Sequence, residues 1–487
     1  MTERAPTPEE NAKLREENER LRREVAAQAK KIAEQSKQID DLKRQLGESN
    51  RAGKRQATPF ARRRRVKTRK KSGRAPGHAG TSRPVPPHVD DEAQSLLCGC
   101  PDCGGECTDI KDHVQFVTDI PPIKPRTTRV VTQSGWCGKC RKRVRTTHPS
   151  QVSRAGGAAR VALGPVAHGM AAEMKDRLGV PYRRITDFMR TYCGLRATHG
   201  AFVHAKPRLA ERGKPTYDAL VGIARQSSVV HSDETGWKID TKSAWLWVFA
   251  TPTVTIYAVR FSRGHGVVLE MLGADFDGTL VSDGLPALDT LHKEHGVRRS
   301  QCLGHPLRRA VELLDVQKRG AARFPHLVKD LLQDAITLAG RHGELTDSTM
   351  AEYARRIERR ADDVLAWEPT DHENAKLAKH LREHRAQLFP SLYDPAIPAT
   401  NNFAEQQIRG AVITRKIGGC NRSERHAHAH AEIASVAQTA HRHGLPFSDV
   451  VADWMRIRPE REPPIVPTAI GLLMRAAEAK RSRERPS

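Results

Sequence analysis

Between residues 227 and 305 the chain reads as strands, and this stretch limits the fold more than any other feature. "SSVVHSD" (227–233), "AWLWVFA" (244–250), "TVTIYAV" (253–259) and "GTLVSDG" (278–284) are short, nearly continuous apolar runs. "AWLWVFA" and "TVTIYAV", with short breaks, read as a meander, and "GTLVSDG" reads as a buried strand. "GHGVVLEMLG" (264–273) supplies a helix and "VRRSQCLGH" (297–305) a further strand, and a helix-rich stretch follows over about 306–392. The pattern predicts a multidomain α/β protein. Two of the apolar runs finish on an aspartate, Asp233 and Asp283. Strand-end carboxylates protrude where a sheet opens to solvent.

A third acid stands in "PATNNFAEQQIRGAVITRK" (398–416). Pro398 and Thr400-Asn401-Asn402 read as a helix start. Glu405, Ile408, Arg409 and Val412 then share one face, three and four residues apart. Local readings exist: Asn402-x-x-Glu405 resembles a capping box, and Arg409 can pair with Glu405. Taken with Asp233 and Asp283, however, Glu405 completes a set of three carboxylates that repel one another unless cations lie between them. Oxygen ligands of this kind select Mg²⁺ or Mn²⁺. Two such ions, roughly 3.5–4 Å apart, can cleave a phosphodiester. Glu234, Asp240, Asp275 and Asp277 lie near these acids in sequence and are read as bystanders.

The bulk composition names the partner class. A formal charge of +25 over 487 residues points to a polyanion. Between Arg51 and Val89 there is no Asp or Glu, and "RRRRVKTRKK" places Arg62, Arg63, Arg64 and Arg65 in succession. Residues 50–90 therefore read as a basic arm, with a nuclear-localisation signal as the other reading of the same run. No apolar run approaches the roughly 18–20 residues of a membrane span, and the charged N-terminus has no signal-peptide core.

Upstream, a heptad seam runs through residues 9–47, with Leu14, Leu21 and Leu42 at d and Val25, Ile32 and Ile39 at a. β-Branched a residues over Leu d residues favour a parallel helix pair, and Asn18 at an a position can fix its alignment. The expectation is a coiled coil and a homodimer or higher oligomer. Nine cysteines, an odd number, fit a reducing cytoplasm better than a disulfide framework. Cys100-x-x-Cys103 and Cys137-x-x-Cys140 have the bite of a closed, structural four-thiolate Zn²⁺ site. The intervening "HVQFVTDI" and "TTRVVTQSGW" suggest a zinc ribbon on a hairpin, within a domain at 95–148. Cys98 and Cys107 are spare thiols. Residues 155–225 read as helical, and "LGVPYRRITDFMRTYCGLRATHGAF" (178–202) reads either as a helix-turn-helix DNA reader or as a plain helical hairpin.

"HSDETGW", "SRG", "GTLVSDG", "CLGHPLR" and "TNNFAEQQIRGAVITRK" occur in this order, and together they resemble the transposases of the bacterial insertion-sequence sixty-six family. The likeness extends upstream to the zipper, the zinc module and the helical segment. It implies a ribonuclease-H-like, retroviral-integrase-like catalytic domain over 229–445, with a helical insertion at about 306–392 and a C-terminal segment at 446–487. It assigns a DDE triad to Asp233, Asp283 and Glu405. The implied activity is two-metal cleavage at transposon ends, followed by strand transfer into target double-stranded DNA. The location implied is a nucleoid-associated one in the bacterial cytoplasm, and accessory proteins of the same element are implied as possible partners. Arg308, Arg409, Arg415 and Lys416 are candidates to hold phosphates. Leu285 and Leu288 stand where the family usually shows aromatics, and Gly304 and Pro306 flank His305. Two other functions use parts of the same evidence: a non-catalytic zinc-dependent DNA-binding regulator and a structure-specific nuclease of the same fold.

Overall fold

The computed structural model describes residues 16–17, 19–29, 31–36, 38, 83–153 and 161–456. Two compact units divide the chain, Met1–Thr118 and Asp119–Ser487. In the first, residues 19–29 and 31–36 are helical and exposed, and the seam residues Leu21, Val25 and Ile32 face solvent. Leu14, Asn18, Ile39 and Leu42 of the expected zipper lie outside the described residues, as do Arg62, Arg63, Arg64 and Arg65 of the arm and the tail from 457. Cys100 closes a turn, donating its N–H to the Gly105 carbonyl at 2.8 Å and accepting from the Gly104 N–H at 2.8 Å.

In the second unit, β1 (Ser134–Cys137) and β2 (Lys142–Arg145) form an antiparallel hairpin with Cys137 and Cys140 at its tip. The strand expected in "HVQFVTDI" does not form, and of "TTRVVTQSGW" only the last residues are extended as a strand. Val114 and Val117 are exposed, and among the described residues no strand pairs with this segment.

Three helices follow: Pro165–Asp176, Tyr182–Cys193 and His199–Arg225. Ile185, Met189 and Cys193 recur every four residues and are buried, and the helix they stripe stops at Gly194, whose left-handed backbone (φ 63°) suits glycine. Thr198 caps the next helix, its hydroxyl accepting from the Ala201 N–H at 3.3 Å. The helix–turn–helix pattern is thus present, but the second helix buries Phe202, Leu209, Tyr217, Leu220 and Ala224 in the interior. That face is not available to a DNA groove.

The central sheet has the order β5-β4-β3-β6-β7, from β3 (Val229–Ile239), β4 (Lys242–Ala250), β5 (Thr255–Arg260), β6 (Thr279–Ser282) and β7 (Arg298–Gln301). β3, β4 and β5 are joined antiparallel, whereas β6 lies parallel to β3 and β7 parallel to β6. Alternation along β4 explains its continuous apolar run. Trp247 and Phe249 pack on one side with the helix His199–Arg225 and the helix Gly266–Leu272. Leu246 and Val248 pack on the other with Ala404, Ile408 and Ala411.

The outer edge of β5 would expose unpaired backbone groups, a hazard for any sheet. The helix Glu424–Arg442 covers it. The Ser435 hydroxyl accepts from the Tyr257 N–H at 2.8 Å, and the Thr439 hydroxyl accepts from the Thr255 N–H and donates to the Thr255 carbonyl, both at 3.1 Å. A buried ionic knot secures the upstream helices to this layer. Asp176 takes Lys206 at 2.5 Å and His430 at 2.8 Å, and His430 stacks on Trp237 of β3. Burial pushes the Asp176 carboxyl up, but Lys206 and His430 outweigh it and hold it below its ordinary range.

The helices Gly304–Leu314, Arg323–Ala339, Asp347–Ala366 and His372–Glu383 form the insertion between β7 and the Glu405 helix. They have a core of their own around Phe324, Leu332, Ala354 and Leu381. Removing the edge cover tests the packing account. Thr439→Val and Ser435→Ala should each lower stability by about 1–3 kcal/mol, because each leaves a buried N–H unpaired. Urea unfolding followed by circular dichroism measures it, and the double variant should approach the sum of the two.

Candidate active site

Parallel pairing of β3 with β6 aligns His231 with Val281. Asp233 and Asp283 each lie two residues beyond that rung, so they emerge side by side on the same face of the sheet. Asp283 follows the end of β6, as the sequence suggests. Asp233 differs from expectation: it lies inside an eleven-residue strand, not at its end. β3 continues because Asp233 through Ile239 pair with β4, while the parallel pairing on the other side has already stopped.

The third carboxylate in this cluster is Glu234. Single oxygens of Asp233, Glu234 and Asp283 lie within 4.8 Å of one another. Arg263 holds Glu234 through contacts of 2.6 and 3.0 Å to one oxygen, and the same guanidinium lies 4.5 Å over the Trp245 ring. Burial, then repulsion from Glu234 and Asp283, pushes the Asp233 carboxyl well above its ordinary range; Glu405 adds a smaller push, and the Glu234 N–H opposes it. Oδ1 of Asp283 is buried with no hydrogen-bond partner among the described residues. A crowded carboxylate set with an orphaned oxygen fits a hard divalent cation, whose charge would reverse the repulsion.

Glu405 approaches from the helix Asn402–Gly418. It is outside the 4.8 Å group, and its Oε1 lies 3.7 Å from His305 Nε2 and 3.9 Å from an Arg308 nitrogen. Neither local reading of Glu405 holds. Asn401, not Asn402, precedes the helix and makes no side-chain cap, and Arg409 is exposed and is not an ion-pair partner of Glu405.

Asn401 instead ties the acids together. Its side-chain N–H donates to the Ser232 carbonyl at 2.7 Å, one residue before Asp233. Its side-chain oxygen meets His231 Nδ1 at 3.0 Å. Its backbone N–H donates to Cys302 Sγ at 3.1 Å, and the Cys302 N–H donates to the Ser282 carbonyl at 2.9 Å, one residue before Asp283. Its carbonyl accepts from the Glu405 N–H at 3.1 Å. Sequence reading named Asn401 only as part of a helix start and took Glu234 for a bystander. The paired asparagines were visible, but nothing distinguished the buried one.

The remaining candidates are scattered. Arg415 lies against β3, donating to Thr235 Oγ1 at 3.1 Å and to the Gly236 carbonyl. Lys416 is half-buried, and Arg308 and Arg409 are exposed. All nine cysteines are free thiols. Backbone N–H groups at Asp102 and Cys103, with the Cys103 thiol, lower the Cys100 thiol; the Cys140 backbone and thiol and the Lys139 N–H do the same for Cys137. Leu285 and Leu288, in place of aromatics, are buried in the main core.

The family model described as Transposase IS66 family matches residues 161–429, more than half of the chain. The chain belongs to this family. The matched range contains the sheet, the insertion and the helix of Glu405, and it leaves out the expected zipper, the expected arm and both Cys-x-x-Cys turns. No match is found among curated proteins. Membership implies a transposase role, enzymatic action on DNA and divalent-metal dependence. No helix among the described residues is long and apolar enough to cross a membrane.

The raised Asp233 carboxyl has a signed consequence. A carboxyl that binds its proton more tightly in the folded chain favours folding below its unfolded value, and that contribution is lost as pH rises through the folded one. Asp233→Asn should therefore raise the Tm of metal-free protein at pH 7.5, with the gain shrinking toward pH 4. Millimolar Mg²⁺ should narrow the gap by stabilising the wild type alone. Scanning calorimetry across pH reads this. Asn401→Ala should cost about 2–4 kcal/mol in urea unfolding, because several buried groups lose partners at once.

Proposed function

We propose that Asp233, Asp283 and Glu405 form the catalytic triad of a DNA transposase that cuts transposon ends and joins them to target DNA. The observation that carries this reading is the pair of carboxylates on neighbouring parallel strands, one forced toward protonation and the other with an unpartnered oxygen. Asp233 and Asp283 would hold Mg²⁺ or Mn²⁺, and Glu405 would join them by a side-chain rotation, since its present neighbours lie at 3.7 and 3.9 Å. When bound, the cations would neutralise charge on the scissile phosphate and lower the pKa of the attacking water.

The chain's own residues do the positioning. Asn401 holds the three acid-bearing segments in fixed relation. Arg263 keeps the charge of Glu234 compensated, so Glu234 supports the cluster without being a member of the triad. Arg308 and Arg409 are exposed on elements beside Glu405 and are suited to phosphate oxygens. Arg415, tied to β3, and the half-buried Lys416 would add phosphate contacts on the same helix, and Arg62, Arg63, Arg64 and Arg65 would add an arm that grips duplex DNA without reading its sequence.

In the first step, water attacks a phosphodiester at the transposon end and a 3′-oxygen leaves as a free hydroxyl. In the second, that hydroxyl attacks a target phosphorus, displacing a target 3′-oxygen. Each step forms one P–O bond and breaks one, and no covalent protein–DNA link is needed. A ribonuclease-H-like core is supported by the mixed five-stranded sheet with helices on both faces. Flanking parts complete the reading: a coiled coil over 9–47 for self-association and a structural Zn²⁺ module using Cys100, Cys103, Cys137 and Cys140.

Cleavage of the element's own end DNA in Mg²⁺, followed by transfer of a pre-cut 3′-OH end into plasmid, tests the proposal. Asp233→Asn, Asp283→Asn and Glu405→Gln should each abolish both products while DNA binding persists. Glu234→Gln should lower the rate by only about 10–100-fold, as for a partner outside the ligand set. If Glu234→Gln abolished the reaction and Glu405→Gln did not, the triad assignment would be wrong. Cleavage without joining would mark a nuclease instead.

A further inference from the structure

A second convergence of ligand-type side chains lies outside the acid cluster. His265 stands immediately before the helix Gly266–Leu272, and Glu294 and His295 end the helix Asp289–His295. One donor atom from each lies within 4.8 Å of the other two. The two imidazole rings are 6.1 Å apart, centroid to centroid, and inclined by 37°, so neither is stacked flat on the other. His265 is half-buried, and Glu294 and His295 are exposed, which leaves the three donors open to solvent. The helix that carries Glu294 and His295 stops at Gly296 with a left-handed backbone (φ 67°), so the acid and the imidazole meet His265 from a helix end.

Two neutral imidazoles and one carboxylate are a poor set for Mg²⁺, which prefers oxygen ligands alone, and a good one for Zn²⁺. We propose that His265, Glu294 and His295 form a surface Zn²⁺ site, separate from the acid cluster and from the cysteine turns. Three protein ligands leave one position for water. Tetrahedral bonds of roughly 2.0–2.2 Å put the donor atoms roughly 3.3–3.6 Å apart, a separation that surface side chains within 4.8 Å of one another can reach by rotation.

The site has a structural consequence. His265 lies two residues after Arg263, the cation that holds Glu234 beside Asp233 and Asp283. The intervening turn is otherwise fastened by the Ser262 hydroxyl accepting from the Gly264 N–H at 2.9 Å and by Trp247 Nε1 donating to the Ser262 carbonyl at 3.2 Å. Zn²⁺ at His265 would staple this turn to the helix Asp289–His295 and so fix the position of Arg263. The inference does not depend on the transposase reading, and its test reads binding and not catalysis.

The full chain, stripped of metal with a chelator under reducing conditions and then gel-filtered, is titrated with Zn²⁺ by calorimetry. Wild type should take up one equivalent more than His265→Ala or His295→Ala, or bind that equivalent about tenfold or more tightly. Asp283→Asn and the exposed-histidine control His372→Ala should keep it. Cu²⁺ bound at the same site should show nitrogen hyperfine coupling in electron paramagnetic resonance, and the coupling should weaken in both His→Ala variants. Zn²⁺ should raise the Tm of wild type more than that of His265→Ala. Equal stoichiometry and affinity in wild type, His265→Ala and His295→Ala, with unchanged circular dichroism, would overturn the proposal.

Discussion

Two carboxylates at the same height on neighbouring parallel strands set the terms for everything around them. Nothing in a β-sheet favours this placement, because strand pairing brings the charges together and burial removes the water that would screen them. Asp233 responds with a carboxyl pushed well above its ordinary range. Asp283 is left with an oxygen that nothing in the described chain satisfies. The sheet has to be stable enough elsewhere to carry this local conflict. The apolar faces of β4, the covered edge of β5 and the ionic knot at Asp176 supply that stability at a distance from the acids.

Keeping the third acid in place is a separate problem, since Glu405 arrives from far along the chain. The solution is one buried asparagine whose side chain and backbone are all spoken for. Through Ser232, Cys302 and Ser282, Asn401 reaches the residues next to both aspartates, and through its own carbonyl it fixes the first turn that carries Glu405. Buried polar networks of this kind are costly when broken and specific when complete. The arrangement fixes the backbone positions of the segments that carry Asp233, Asp283 and Glu405.

Much of this was legible in the residues. The apolar run of β4 announced a strand, and the helix and strand after it fell where their patterns placed them. Asp283 was correctly read as closing a strand. Asp233 was not, because "ETGWKI" looks polar and turn-like by itself and becomes strand only by pairing with β4. Glu234 was dismissed for the same reason: what brings its carboxylate to the cluster is three-dimensional, and so is the countercharge from Arg263. "HVQFVTDI" failed in the opposite sense, with strand-like composition but no strand among the described residues to pair with. Local pattern identifies elements well, but it does not show which polar atoms will meet. Asn401 and Asn402 are chemically identical in the sequence, yet one is buried and the other exposed.

The helical insertion leaves and re-enters the core at almost one point. Leu303 donates its N–H to the carbonyl of Ala399 at 2.9 Å, with Cys302 just before one end and Asn401 just after the other. Its helices bury their apolar residues among themselves. A segment clasped at its neck, and touching the core elsewhere through His380 on Gln301 and His384 on Asp289, can change its outer surface over evolutionary time while the two chain ends stay where they are. Relatives with different excursions at this place could therefore keep Asp283 and Glu405 in the same relation to each other.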